Sequence, residues 1–332
     1  VKESGLKTSP NLTFADLARL LPELYQVEEN LHQAVASAEG PVAEMCSRVL
    51  RSGGKRLRPM LVLAAGKCFG PVSPGMIKVA VAVELIHMAS LIHDDVIDVS
   101  STRRGRPTLN ACWGNRVSIL TGDFLFAKAF RLLVENQLFD VLRLVTRTVE
   151  DMCEGEVEQV IGEFDINQTE ENYFSRIRKK TANLIAMCCQ AGALIAEKDQ
   201  EKVEALYEYG LNLGCAFQII DDILDFIGKP EQLGKPAGLD LAQGNLTLPV
   251  LALLRDPFHR SWLQKELLQD KMDGELRQRI VEAVISSGAL AYARAVASYY
   301  QKKAKQALAV LPVSQYRNLL MNLAELVLVR SN

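Results

Sequence analysis

Leu85-Ile86-His87-Met88-Ala89-Ser90-Leu91-Ile92-His93-Asp94-Asp95-Val96-Ile97-Asp98 carries an apolar stretch straight into three aspartates. Cys215-Ala216-Phe217-Gln218-Ile219-Ile220-Asp221-Asp222-Ile223-Leu224-Asp225 repeats the form. At about 100° per residue, Asp94, Asp95 and Asp98 fall within an arc of roughly 100° on a helix, and Asp221, Asp222 and Asp225 trace the same arc. The apolar flanks bury both helices along much of their length. Six carboxylates gathered in a poorly hydrated cleft repel one another unless cations or protons offset them. The two runs therefore read as halves of one cation site. Oxygen-only ligands with no histidine-cysteine cluster suit Mg²⁺, which commonly completes its shell with water and substrate phosphate. A diphosphate is the implied partner.

The rest of the 332-residue chain is consistent with an all-α protein. Leu, Ala, Glu, Val and Arg dominate, prolines stand at helix starts or breaks, and no segment alternates β-branched residues. Helices are expected over 13–38 (bent at Pro22), 42–51, 57–69, 74–99, 116–135, 139–162, 170–197, 200–227, 248–254, 274–286, 289–311 and 313–329. With no low-complexity linker, residues 1–332 are expected to form one domain. The formal net charge of −2 gives no footprint for nucleic acid. Seven irregularly spaced cysteines match neither a disulfide framework nor a zinc pattern, so a reducing cytoplasm is the expected location. No uninterrupted apolar run approaches the ~20 residues of a membrane span, and the N-terminus lacks the layout of a signal peptide; a soluble protein is expected.

Three basic clusters lie in or beside breaks between apolar segments: Gly53-Gly54-Lys55-Arg56-Leu57-Arg58-Pro59, Arg103-Arg104-Gly105-Arg106 and Lys179-Lys180-Thr181. Glycines let backbone approach an anion while the cations clamp it. The second cluster follows the first acidic run within one loop, close enough to reach a phosphate at Asp94 and Asp95. On the helical wheel Gln218 lies between Asp221 and Asp222, and His87 is nearly in line with Asp94, so both are expected to face the ligand cavity.

These motifs, together with Gly122-Asp123, Gly155-Glu156 and Gly234-Lys235, closely resemble the trans-isoprenyl diphosphate synthases, particularly the medium- and long-chain polyprenyl type. The motif-bearing region runs from Gly53 to Pro249. The resemblance implies an isoprenoid synthase fold, a large helical bundle around a central cavity. It implies head-to-tail condensation of isopentenyl diphosphate onto farnesyl or geranylgeranyl diphosphate, with three Mg²⁺ ions per active site. By resemblance Asp94, Asp95 and Asp221 hold Mg²⁺ on the allylic diphosphate, with Asp98, Asp222 and Asp225 completing the inner or second shell. Arg103, Lys180, Thr181, Gln218 and Lys235 grip that diphosphate, and Lys55, Arg58, His87 and Arg104 bind isopentenyl diphosphate. A homodimer is implied, with a heteromeric small subunit as the alternative assembly. The chain departs from many relatives at Asn245, where they carry a lysine.

Breaking an allylic C–O bond loads the diphosphate with negative charge, and magnesium and basic side chains stabilise it there. The departing diphosphate can take the proton lost afterwards, which accounts for the lack of a Ser-His-Asp or Cys-His arrangement. Ala89 and Ser90 lie roughly 6 to 7.5 Å before Asp94 along the helix, about one or two isoprene units. By resemblance, small Ala89 leaves the floor of a product tunnel open, although the wheel turns it away from Asp94. Phe126 and Phe130 form a deeper stop or simply pack the core. A product longer than twenty carbons follows, about C30 to C40, as used for quinone side chains. Competing readings are a non-catalytic subunit of a heteromeric synthase, which the complete acidic runs oppose, and a terpene cyclase, which the Lys55, Arg58 and His87 set opposes. A helical scaffold without chemistry leaves the acidic faces unexplained.

Overall fold

A computed structural model describes residues 14–197, 199–228, 237–269 and 272–329. The chain is mostly helical: α1 (Phe14–Leu20), α2 (Leu24–Ala36), α3 (Pro41–Arg51), α4 (Leu57–Lys67), α5 (Pro74–Ile97), α6 (Leu109–Trp113), α7 (Asn115–Glu135), α8 (Phe139–Ile161), α9 (Glu170–Ile177), a π-helical turn (Arg178–Ala182), α10 (Asn183–Ala196) and α11 (Gln200–Ile227). There follow α12 (Leu239–Ala242), α13 (Leu248–Leu253), α14 (Pro257–Gln269), α15 (Gly274–Ser286), α16 (Ala289–Ala307) and α17 (Gln315–Val329). The sheet among the described residues is one antiparallel pair, β1 (Thr102–Arg103) with β2 (Arg106–Pro107). It turns through Arg104 and Gly105, both at positive φ (52° and 71°), as a two-residue type I′ hairpin requires.

Three expectations are corrected in detail. The bent helix over 13–38 is two helices separated at Leu21-Pro22-Glu23, because proline has no N–H to continue the ladder. The continuous helix expected over 170–197 is divided by the π turn. Residues 257–269, where the sequence pattern predicts no helix, form α14.

The residues gather into two compact units. The first comprises the chain up to Arg147 with Met187–Tyr207 and Val310–Leu320; the second comprises Thr148–Ala186, Glu208–Ala309 and the chain from Met321. In the first, α5 packs against α2, α4 and α7. Its start is fixed by Ser73, whose hydroxyl accepts from the Met76 amide at 3.3 Å, and by Pro74 in the first turn. Val79 to Ile86 are all buried, so the helix has no solvated face there. It is long and apolar enough to cross a membrane by length and composition, but 72% of its most apolar window is buried within the structure, as in a core helix. Asp98 caps it and Val99, at φ 51°, turns the chain away.

In the second unit α13 packs against α9, α15 and α16. α11 comes unusually near the chain at 182–186: a Cβ on Gly214 would stand 2.5 Å from the Ala182 Cα. Without a side chain there, α11 brings Gln218 within reach of Thr181.

Candidate active site

The first acidic run and its basic neighbours meet within the first unit. Asp95 is buried and accepts from Arg103 Nε at 2.7 Å. Asp94 is half-buried, and Asp98 closes the helix through its backbone N–H to the Asp94 carbonyl at 2.8 Å. The Arg104 guanidinium donates to the Gly53 carbonyl, which joins the hairpin to the glycine loop. A cavity of about 340 Å³ has Asp95, Arg103 and Arg104 in its wall beside Arg48, Arg51 and Arg106. Cations outnumber carboxylates in that wall, so its field favours an anion.

Arg56 is not free to clamp a ligand, contrary to the clamping expected of every cation in its loop. It is buried and donates to Glu28 at 2.7 and 2.9 Å and to Glu84 at 3.1 Å. Burial pulls its pKa down, but Glu28 and Glu84 outweigh that and hold it up. The Arg56 hydrogen bond in turn lowers the Glu28 carboxyl. With Arg56 committed to the fold, Lys55 is exposed and Arg58 half-buried on the same segment. Arg58 Nε is buried without a hydrogen-bond partner, a donor that an incoming phosphate oxygen would satisfy. His87 lies well below its ordinary pKa because of burial first and then Arg58, Arg104, Arg103 and Arg56, so it is neutral near pH 7. Lys55, Arg58, His87 and Arg104, the set expected for isopentenyl diphosphate, thus stand in or beside one cluster of guanidinium groups that an anion would relieve.

The second unit assembles the other set. Asp222 is buried; its Oδ2 accepts from the Tyr173 hydroxyl at 2.6 Å and its Oδ1 from Gln218 Nε2 at 2.9 Å. Gln218 Oε1 accepts from the Thr181 hydroxyl at 2.8 Å. Asp225 accepts from the backbone amides of Leu239 and Asp240 at 3.1 and 3.3 Å, fastening the end of α11 to the start of α12. Asp221 is half-buried on the same helix. Burial and the nearby Asp240 push Asp222 and Asp225 each up to about 7. Lys180 pairs with Glu156 at 2.8 Å, and it stands in the π turn. That turn presses on α8 at Gly155, where a Cβ would lie 2.9 Å from Lys179 Cβ and 3.0 Å from the Lys180 amide nitrogen. Lys235 lies outside the described residues.

The donor set suits Mg²⁺. Among the described residues no three His, Cys, Asp or Glu side chains converge into a protein-only cage. Carboxylates alone, with excess negative charge that burial leaves poorly tolerated at Asp222 and Asp225, match a hard ion held by one or two carboxylates and otherwise by phosphate and water.

A family model described as "Polyprenyl synthetase" matches residues 40–284. The chain belongs to the polyprenyl synthetase family. Heptaprenyl diphosphate synthase component 2 of Geobacillus stearothermophilus is 44% identical over 306 residues, spanning 92% of this chain and 95% of that protein. Octaprenyl diphosphate synthase of Haemophilus influenzae is 35% identical over 92% of this chain and 93% of its own length. The crystal structure of a polyprenyl synthase from Caulobacter crescentus, complexed with calcium and isoprenyl diphosphate, superposes with a TM-score of 0.89 at 37% identity, covering 96% of this chain and 98% of that one. The mostly helical architecture is the fold of these synthases.

The residues expected to set chain length pack against their neighbours. Ala89 is fully buried, while the half-buried Ser90 donates to the His87 carbonyl at 3.0 Å. Phe126 and Phe130 stack one turn apart on α7 with centroids 6.2 Å apart, and Phe126 also meets the His93 ring at 5.7 Å. Tyr173 has no place among the sequence motifs, although it lies seven residues before Lys180, a spacing that puts both on one helical face; Glu156 stands in the Gly155-Glu156 motif, and the structure pairs it with Lys180.

Proposed function

We propose that the chain is a Mg²⁺-dependent trans-prenyltransferase that condenses isopentenyl diphosphate head-to-tail onto an allylic diphosphate, farnesyl or geranylgeranyl, and makes a polyprenyl diphosphate of about C30 to C40. Family membership and relatives named for seven- and eight-unit products support this reading. The observation that carries it is the completeness of both acidic runs alongside the orphaned Arg58 donor.

Asp94, Asp95 and Asp221 would hold Mg²⁺, with Asp98, Asp222 and Asp225 supporting them. Bound Mg²⁺ would supply Lewis-acid stabilisation of the leaving diphosphate. Arg103 orients Asp95 and offers its remaining guanidinium donors to the allylic diphosphate, with Lys180, Thr181, Gln218 and Lys235 serving the same group. Lys55, Arg58 and Arg104 bind the isopentenyl diphosphate, and neutral His87 donates to it without adding repulsion to the arginines. Ala89, Ser90, Phe126 and Phe130 set how far the growing tail extends.

A second reading has one observation in its favour. The 44% identical relative is named as a component, so the chain works either as a homodimer or with a different partner subunit. The test is to incubate the purified chain with farnesyl diphosphate, isopentenyl diphosphate and Mg²⁺ and size the products. Elongation by the chain alone supports the homodimer. Elongation only after a partner subunit is added supports the heteromer, and none under either condition sinks the reading.

A further inference from the structure

The geometry points to Tyr173 as a positioning residue whose hydroxyl, through Asp222, fixes Gln218 and the π turn bearing Thr181 for the allylic diphosphate. This inference rests on the prenyltransferase reading and deepens it. Tyr173 is completely buried, and its hydroxyl meets Asp222 Oδ2 at 2.6 Å. The other Asp222 oxygen takes the Gln218 amide nitrogen at 2.9 Å, and that turns the Gln218 carbonyl toward Thr181, whose hydroxyl donates to it at 2.8 Å. The polarity of each bond dictates the next, since a tyrosine and a primary amide both present protons to Asp222 and leave Gln218 one acceptor. Thr181 therefore spends its one hydroxyl proton on Gln218 and is held there, while the second Gln218 amide proton is left for a phosphate oxygen.

The relay spans separate elements: Tyr173 on α9, Asp222 and Gln218 on α11, Thr181 in the π turn. It is a side-chain path that ties the second acidic run to the segment bearing Lys180. π-helical turns lack the regular α ladder and occur frequently at functional sites, so an external hold on this one has a purpose. The ring itself needs no hydroxyl to stay in place. Phe174 packs edge-on at 5.2 Å and the Arg176 guanidinium lies 5.8 Å from the ring centre, itself anchored to the Leu246 carbonyl at 3.0 Å. Tyr173→Phe thus removes one hydrogen bond and little packing.

The experiment compares wild type, Tyr173→Phe, Thr181→Val and the double variant. Calorimetry measures Mg²⁺-dependent binding of an unreactive thio-analogue of farnesyl diphosphate, and kinetics give KM for isopentenyl diphosphate. Tyr173→Phe is expected to weaken analogue binding about tenfold or more, in line with loss of a hydrogen bond to a charged group, and to leave the isopentenyl KM within about twofold. The double variant is expected to bind no worse than the weaker single, because both act through one relay. Unchanged binding by Tyr173→Phe, losses that multiply in the double variant, or an equal loss of isopentenyl affinity would overturn the proposal. Should Tyr173→Phe fail to fold, 3-fluorotyrosine at 173 keeps the ring and a more acidic hydroxyl: analogue affinity should move at least about twofold with isopentenyl KM unchanged, and no movement overturns it. A wild type that neither binds the analogue nor elongates substrate sinks the prenyltransferase reading as well; a functional wild type with an unaffected variant sinks this proposal alone.

Discussion

Arg103 Nε lies 2.7 Å from Asp95 Oδ1, so the first acidic run and the basic hairpin that follows it are one unit of charge. Replacing Arg103 by Ala should lower kcat/KM for the allylic substrate by about 10²–10³, the scale seen when one donor to developing negative charge is removed. Lysine at 103 keeps the charge but not the planar fork and should recover only part. Steady-state rates against allylic diphosphate concentration check both, and wild-type rates from Arg103→Ala would remove this residue from the site.

Asp222 and Asp225 hold their protons more tightly when folded, at about 7, than at their ordinary 3.8. The native state therefore takes up protons as pH falls through 7, so stability without metal should rise as pH drops from about 7 toward 4 and be flat above 7. Mg²⁺ would compete with those protons. Chelation should lower the melting temperature at pH 7.5 more than at pH 5.5, and calorimetric scans with and without chelator read the difference.

His87 is neutral because burial and the surrounding arginines depress its pKa. A bound diphosphate adds negative charge beside it and raises that pKa, so binding takes up a proton and isopentenyl affinity should strengthen as pH falls below 7. His87→Gln should lose that part of the pH profile and keep only the titration of the diphosphate itself. Superimposable profiles from the two proteins would exclude His87 from the isopentenyl site.

Arg56 is the cation shared by Glu28 and Glu84 in the first unit. Arg56→Met leaves Glu84 buried beside fewer positive groups and should destabilise the protein by about 3 kcal/mol, the lower end for breaking a buried ion pair. Urea unfolding measures this. Lys55→Ala, exposed on the same loop, should leave stability within about 0.5 kcal/mol.

Ala89 is fully buried in α5. Ala89→Tyr should shorten the product in a chain-length assay and, as an overpacked core position, lower stability by about 1–3 kcal/mol. A folded variant with an unchanged product distribution removes Ala89 from the tunnel.

Much of this was legible in sequence where the signal is local. Ser73 and Pro74 mark the start of α5, its apolar run marks its burial, and the acidic triads follow from spacing alone. What escaped depends on contacts distant in sequence. The break at Arg178–Ala182 reflects close approach to Gly155 on α8, which no helical pattern encodes. Arg56 read as a ligand clamp because its partners, Glu28 and Glu84, stand 28 residues away on either side. α14 buries Leu263 and mixes Phe258, Trp262, Leu267 and Leu268 with seven polar residues, so its apolar face is weakly marked, although Asp256-Pro257 offers a start signal. The Tyr173 hydroxyl became meaningful only once α9 lay beside α11 in the second unit.

The central claim, that this chain ionises an allylic diphosphate with both acidic runs, is tested most directly by single-turnover elongation of farnesyl diphosphate with Asp94→Ala, Asp221→Ala and the double variant, alone and with a partner subunit if one is required. Each single variant should be slowed by at least about 10²-fold, and the double should be little slower than the worse single. A variant at either position that elongates at the wild-type rate would contradict the account.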